Sequence, residues 1–129
     1  MLDLDSVTVI IVNYNAGSLL TRCVHAALEQ ARQVIVVDNA SSDSSVLNLE
    51  SEFSLENRLS IIRSESNIGF AAGCNKGLNA ATQPYILFLN PDCMLQSGTL
   101  KHLVQVLESD STIGMVGGYL TNPDGSEQG

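Results

Sequence analysis

Apolar residues gather in short unbroken runs, Val7 to Val12, Val34 to Val37, Leu59 to Ile62 and Tyr85 to Leu89, none of which alternates with polar positions. Runs of this length predict strands covered on both faces, as in a parallel sheet. Between them the spacing becomes helical. Leu19, Leu20, Cys23, Val24, Ala27 and Leu28 form one stripe, leaving Arg22, Glu29 and Gln30 for water. Val46, Leu49 and Phe53 share a face after the Ser/Asp-rich turn at 41–44, which predicts a capped helix start with Asp43 as the better cap. Phe70, Cys74, Leu78 and Ala81 predict a third helix over 70–81. It contains Gly73 and Gly77, each costing up to about 1 kcal/mol relative to alanine, a cost that close packing or a ligand would explain. Leu100, Leu103, Val104 and Leu107 predict a fourth. A last run, Gly114 to Leu120, predicts a further strand before the turn Asn122-Pro123-Asp124-Gly125.

This alternation predicts one α/β domain over residues 1–129, a Rossmann-like three-layer α/β sandwich with right-handed crossovers. An all-helical fold is disfavoured by Val34 to Val37 and Tyr85 to Leu89. Each strand run leads into an acceptor-rich turn: Asn13-Tyr14-Asn15, Asp38-Asn39-Ala40-Ser41-Ser42-Asp43, Asn67-Ile68-Gly69 and Asn90-Pro91-Asp92. Loops that follow parallel strands emerge at one carboxyl edge, where ligands bind at the reversal of strand order, so the four turns are expected to form one site. The chain stops in residues 122–129 without an element that closes the fold, and is expected to be truncated. A sheet edge left open in this way would favour self-association.

Six basic and fourteen acidic side chains give a formal net charge of -8. No basic footprint for a phosphate backbone is present, which argues against nucleic acid as a partner. An acidic chain can still hold a phosphate ligand through a divalent cation, which draws carboxylates and phosphates to one point. No amino-terminal signal segment and no apolar stretch of membrane-spanning length is present, and the three cysteines, at 23, 74 and 93, have neither metal-pair spacing nor an even count. The expectation is a reducing, cytoplasmic setting, including a peripheral location at the inner face of a membrane. His25 and His102 lack the spacing of a shared metal site. Neither a Gly-x-Gly-x-x-Gly fingerprint after the first strand nor a Gly-rich Lys-Ser/Thr phosphate loop occurs.

Val9-Ile10-Ile11-Val12-Asn13-Tyr14-Asn15, Val36-Val37-Asp38-Asn39-Ala40-Ser41-Ser42-Asp43, Asn67-Ile68-Gly69-Phe70-Ala71-Ala72-Gly73-Cys74-Asn75 and Phe88-Leu89-Asn90-Pro91-Asp92 together resemble the amino-terminal, donor-binding half of family 2 glycosyltransferases, more narrowly the rhamnosyltransferase-like branch. Asn122-Pro123-Asp124-Gly125-Ser126 is similar to the turn after the fifth strand in these enzymes. The resemblance implies a GT-A fold, a nucleotide-diphosphate sugar donor, a divalent metal, Mg2+ or Mn2+, and transfer with inversion to a saccharide or lipid-linked glycan acceptor.

Within that resemblance Asp38 is the leading nucleotide residue. A strand-end carboxylate accepts from a pyrimidine N3–H or a ribose hydroxyl, or else it serves as a local cap. Tyr14 offers a flat ring to the base, while Asn13 and Asn15 either contact the ligand or fix the turn. Gly69 lets backbone approach a nucleotide, with Asn67 bonding locally or to ligand. Asn75 is read as supporting the site, and Lys76 as a phosphate contact or a solvated charge. Asp92 is the best metal residue. The resemblance maps Asn90-Pro91-Asp92 onto the family's aspartate-any-aspartate position, and Asn90 departs from the acidic first member. Pro91 is a spacer. The general base would come from beyond position 129, since neither Asp124 nor Glu127 matches it. The enzyme reading, with thymidine diphosphate rhamnose as a plausible donor, stands against a non-catalytic nucleotide-sugar-binding module and a structural interaction domain.

Overall fold

The computed structural model describes residues 3–128. Its element order is β1 (Asp5–Asn13), α1 (Ser18–Leu28), β2 (Ala31–Asp38), α2 (Ser45–Glu52), β3 (Leu59–Arg63), α3 (Phe70–Asn79), β4 (Tyr85–Leu89) and α4 (Thr99–Ser109). The strands form one four-stranded sheet in the order β3-β2-β1-β4, all pairs parallel. The chain steps outward from β1 to β3 and then returns to the other side of β1. A right-handed crossover must then place α3 on the face opposite α1 and α2.

The core follows that division. Val9, Ile11, Val34 and Val36 point to the face covered by α1, α2 and α4, where Leu20, Cys23, Val24, Ala27, Leu49 and Leu100 are buried with them. Ile10, Val12, Ile35 and Val37 point the other way, with Cys74 of α3. The unbroken apolar runs of β1 and β2 are therefore explained by helices on both sides. The edge strands β3 and β4 are only half-buried, and Phe88 is exposed. The result is the expected parallel three-layer sandwich. No helix among the described residues is long and apolar enough to cross a membrane.

Three sequence expectations are corrected. The inward face of α3 is Gly73, Cys74 and Gly77, whereas Phe70 and Leu78 are exposed. A Cβ added at Gly73 would lie 2.9 Å from Val12 Cγ1, and one at Gly77 2.5 Å from Ile10 Cγ2. Four helical residues rise about 6 Å, close to the rise of two strand residues, so the glycine pair sits over the Ile10 and Val12 pair in register. Close packing, not ligand contact, accounts for both glycines.

The second correction is Gly114 to Leu120, which forms no strand. The three glycines of this run have nothing within 4 Å of where a Cβ would stand, Met115 is 89% exposed, and pairing resumes only as an isolated antiparallel bridge between Thr121 and Glu127. Glycine raises the entropic cost of strand formation, and no neighbouring strand among the described residues repays it. The predicted turn is present, closed by Gly125 N donating to Asn122 O at 2.9 Å. Thirdly, only Leu100 of the α4 stripe is buried, Leu103, Val104 and Leu107 being half-covered, and Leu19 of α1 is exposed.

Gln30, expected to face water, is instead buried, and it and α4 depend on each other. The N-cap position of α4 is Gly98, which has no side chain to bond the first-turn amides. The buried Gln30 side chain does so instead: its Oε1 accepts from Leu100 N at 3.0 Å and its Nε2 donates to Gln96 O at 2.8 Å. Gln30→Ala leaves the buried Leu100 N–H without this partner and removes one of the two donors to Gln96 O, the other being Thr99 N, and is expected to cost about 2 kcal/mol. Urea denaturation of the variant measures it; a change below about 0.5 kcal/mol, the range of ordinary surface substitutions, would show that solvent replaces both bonds.

Candidate functional site

The carboxyl ends of β1 and β2 are joined by a buried side-chain network. The strand register sets Asn13 opposite Asp38, and Asn13 Nδ2 donates to Asp38 Oδ1 at 2.9 Å. Both are terminal strand residues rather than loop residues, and Asp38 is only 5% exposed. Asp38 also folds its own loop. Ser41 Oγ donates to Oδ1 at 2.6 Å and Ser41 N to Oδ2 at 3.1 Å. Between them Ala40 adopts φ 60°, a left-handed conformation that a residue with a Cβ takes only where its surroundings enforce it.

A second layer of bonds joins the β1–α1 loop to the start of α2. Asn15, at φ 51°, accepts at Oδ1 from Ser42 N at 2.8 Å and from Asp43 N at 3.1 Å, while its own N donates to Ser41 Oγ. Asp43 accepts from Gly17 N at Oδ2, and from both the hydroxyl and the amide of Ser45 at Oδ1. The Ser45 hydroxyl bond is the main reason its carboxyl lies below the usual range. The expected cap of α2 is thus supplied by Asp43, one position ahead of Ser44, which makes no side-chain cap bond. Tyr14, by contrast, is 54% exposed beside this network.

The β3–α3 turn connects to the same place. Asn67 Oδ1 accepts from Gly69 N at 3.0 Å, Gly69 takes φ 86°, and the buried Asn39 donates from Nδ2 to Gly69 O at 3.0 Å. Asn75 is not gathered in: it is exposed on α3, away from the Gly73, Cys74 and Gly77 face. Lys76 donates to Ser64 Oγ at 3.3 Å, beside the end of β3.

The β4 turn lies on the other side of β1. Ile11 pairs with Leu89, so Asn90 continues level with the last residues of β1. Cys93 N donates to Asn90 O at 3.0 Å, closing a turn with Pro91 at its first corner, where a fixed φ suits the geometry. Cys23 of α1 anchors it, Sγ donating to Asn90 O at 3.6 Å. Burial first, then the nearby Cys93 and Asp92, push the Cys23 thiol up to about 12, so it stays neutral and structural. Asp92 itself is exposed, and among the described residues only the weak donor Cys93 Sγ meets its Oδ1, at 3.7 Å.

Among the described residues no group of three or more His, Cys, Asp or Glu side chains is placed to hold a metal ion. Asp92 and Asn90 fit a different arrangement. They offer hard oxygens at a solvent-facing turn, suited to a cation whose remaining ligands are water and the oxygens of a bound phosphate. β1 separates the ends of β2 and β4, which therefore stand about 10 Å apart, two strand spacings.

Pattern reading missed Asn39, Ser41 and Ser45. All lie in the acceptor-rich stretch after β2, but consecutive polar residues do not reveal which of them turn inward. Asn13 Oδ1 and Asn39 Oδ1 are buried without a hydrogen-bond partner among the described residues.

The architecture is shared with solved structures. The chain superposes on Staphylococcus aureus TarS residues 1–349 with a TM-score of 0.69 at 24% identity, covering 80% of this chain and 32% of that one. It superposes on the mannosyltransferase PcManGT of Pyrobaculum calidifontis, in complex with GDP-Man and Mn2+, with a TM-score of 0.73 at 24% identity, covering 96% and 40%. In sequence it is 27% identical over 118 residues to Glycosyltransferase GlyG of Streptococcus pneumoniae serotype 4, covering 89% of this chain and 39% of that protein. The chain thus spans about two-fifths of the length of this relative. Residues 8–128 match the family model for glycosyl transferase family 2, and a match over nearly the whole chain makes this protein a member of that family.

Proposed function

We propose that this chain is the donor-binding region of an inverting, metal-dependent glycosyltransferase that takes a pyrimidine nucleotide-diphosphate sugar and serves a saccharide or lipid-linked glycan acceptor. The observation that carries the reading is the placement of Asp38 and Asp92 on either side of β1 at the point where the strand order reverses. That is where an open α/β sheet binds ligands. A separation of about 10 Å suits a nucleoside diphosphate laid across the end of β1, base toward Asp38 and Tyr14, diphosphate toward Asp92.

The chemistry of Asp38 favours uracil or thymine. Its Oδ1 already accepts from Asn13 and Ser41, and among the described residues its Oδ2 accepts only from Ser41 N. One remaining acceptor direction suits the single N3–H of a pyrimidine imide. Guanine, with adjacent N1–H and N2–H donors, would ask for both oxygens. Tyr14 would stack on the base.

A divalent cation at Asp92 and Asn90, when bound, would neutralise charge developing on the leaving diphosphate. That PcManGT is in complex with Mn2+ supports the reading. The chain's own part is to hold the base and ribose, present the diphosphate to the β4 turn and keep the anomeric carbon open to an acceptor hydroxyl on the opposite side. Thymidine diphosphate rhamnose is the donor we put first, on the combined likeness of residues 9–15, 36–43, 67–75 and 88–92 to the rhamnosyltransferase-like branch.

Calorimetric titration of UDP, dTDP, GDP and ADP, each with and without Mn2+, tests this. UDP and dTDP should bind about tenfold or more tightly than GDP and ADP, the penalty for an unmatched base edge. Equal affinity for all four would reject the base assignment, and no nucleotide binding at all would return the chain to a purely structural role. If dTDP-rhamnose binds no better than UDP-N-acetylglucosamine, the rhamnose assignment fails while the rest stands.

A further inference from the structure

The nucleotide reading leaves the role of Asn13 open, and its geometry decides it. The side chain has no accessible surface and sits at the last position of β1, opposite Asp38 at the last position of β2. Its Nδ2 lies 2.9 Å from Asp38 Oδ1, 3.2 Å from Ser41 Oγ and 3.0 Å from Ser45 Oγ. Two N–H groups thus serve three acceptors, all on the segment that runs from β2 into α2. The hydroxyls pass the constraint on, Ser41 to Asp38 and Ser45 to Asp43. Asp38 and Asp43 are the ionisable groups of this network. Its Nδ2 cannot turn to a ligand without breaking these bonds, and its Oδ1 is buried without a partner among the described residues.

We propose that Asn13 is a positioning residue. It fixes the Asp38 carboxylate and holds the Ala40 left-handed turn before a nucleotide arrives, so that Asp38 presents only its outer oxygen. The amide is suited to this because it donates to a carboxylate without adding charge, where a lysine would neutralise Asp38 and an aspartate would repel it. Preorganisation of this kind removes an ordering cost from the binding step. The inference rests on the nucleotide reading for its functional consequence, but its structural half does not.

The experiment has two arms. Amide hydrogen exchange, without any ligand, follows Ser41 N–H, which is held by Asp38 Oδ2. In Asn13→Ala this amide should exchange at least about tenfold faster, the equivalent of losing one charge-assisted hydrogen bond, while the Val9 to Val12 amides keep their protection. The second arm measures affinity for UDP and for inorganic diphosphate with Mn2+. Asn13→Ala should weaken UDP about tenfold and leave diphosphate within about twofold, and in an Asp38→Ala background it should cost almost nothing further. Asn13→Asp keeps the shape and the acceptor oxygen but removes the donor. It should lose at least as much UDP affinity as alanine does, whereas direct ligand contact through Oδ1 would spare it.

Unchanged Ser41 exchange, or the same loss of UDP affinity with and without Asp38, would overturn the positioning role. Failure of the parent chain to bind UDP would overturn the nucleotide reading instead, leaving the exchange arm to judge Asn13. A variant that loses strand protection throughout would show that Asn13 supports the whole sheet edge, and that outcome also overturns a role confined to Asp38.

Discussion

Asp92→Ala is expected to abolish the Mn2+-dependent part of nucleotide diphosphate affinity, a loss of about tenfold to a hundredfold, or roughly 1.4–2.8 kcal/mol. Asp92 is exposed on the turn after β4, so its removal leaves no buried cavity and takes away only the weak thiol bond from Cys93. Thermal stability should stay within about 0.5 kcal/mol of the parent. Asp38→Ala is the contrasting variant. It should weaken UDP with or without Mn2+ and leave inorganic diphosphate unaffected, because its carboxylate stands about two strand spacings from the turn that bears Asp92. Calorimetry with Mn2+ and with chelator, on both variants and both ligands, separates the roles. A Mn2+ effect that survives Asp92→Ala would move the cation elsewhere, and identical losses for both ligands in both variants would end the division of labour.

Gly77→Ala is expected to destabilise the fold by about 1–3 kcal/mol, although alanine in place of a helical glycine ordinarily gains up to about 1 kcal/mol. The added methyl would meet Ile10 Cγ2 at 2.5 Å. That atom is attached to the branched Cβ of a buried strand residue, so it cannot swing aside as the end of a flexible chain would. The remedy would be to lift α3 from β1, breaking the packing of Cys74 and Val12 and shifting Gly69 against Asn39. Urea denaturation gives the sign. In an Ile10→Ala background the same substitution should become neutral or favourable, since the clashing atom is gone. Stabilisation by Gly77→Ala alone would mean that α3 does not approach β1 as closely as the structure has it.

These results divide according to what each level of structure controls. The strands β1, β2, β3 and β4 are legible in the chain because unbroken apolar runs of Val, Ile and Leu have few other ways to bury themselves. Helix α1 is legible from its stripe. The four acceptor-rich turns are legible too, and their collection at one edge follows from parallel strands joined by helices. Gly114 to Leu120 read as a strand for the same reason and is not one. Hydrophobicity alone does not make a strand where three glycines raise its entropic cost and no neighbour supplies a hydrogen-bonding edge.

Which polar residues of those turns face inward was not legible. Asn13, Asp38, Asn39 and Ser45 are buried, while Tyr14, Asn15 and Asp43 are exposed, although all sit in the same kind of short polar stretch. The distinction depends on the register Asn13↔Asp38, a pairing of residues far apart in the chain, and on the left-handed turn at Ala40, where the local Asp38–Ser41 bonds are tied to the distant Asn13. Asn75 shows the converse, a residue inside a recognisable motif that helical phase turns outward.

By itself the sequence determined the α/β class, the strand cores, the turn that bears Asp92 and membership in glycosyl transferase family 2, because these rest on local patterning and on ordered short motifs. Only the tertiary structure decided that Gly73 and Gly77 mark the seat of α3 on β1, that Gln30 caps α4, and that Asn13 faces Asp38 rather than solvent. Each of these is a contact between segments distant in sequence, and its energy exists only once the sheet has brought them together.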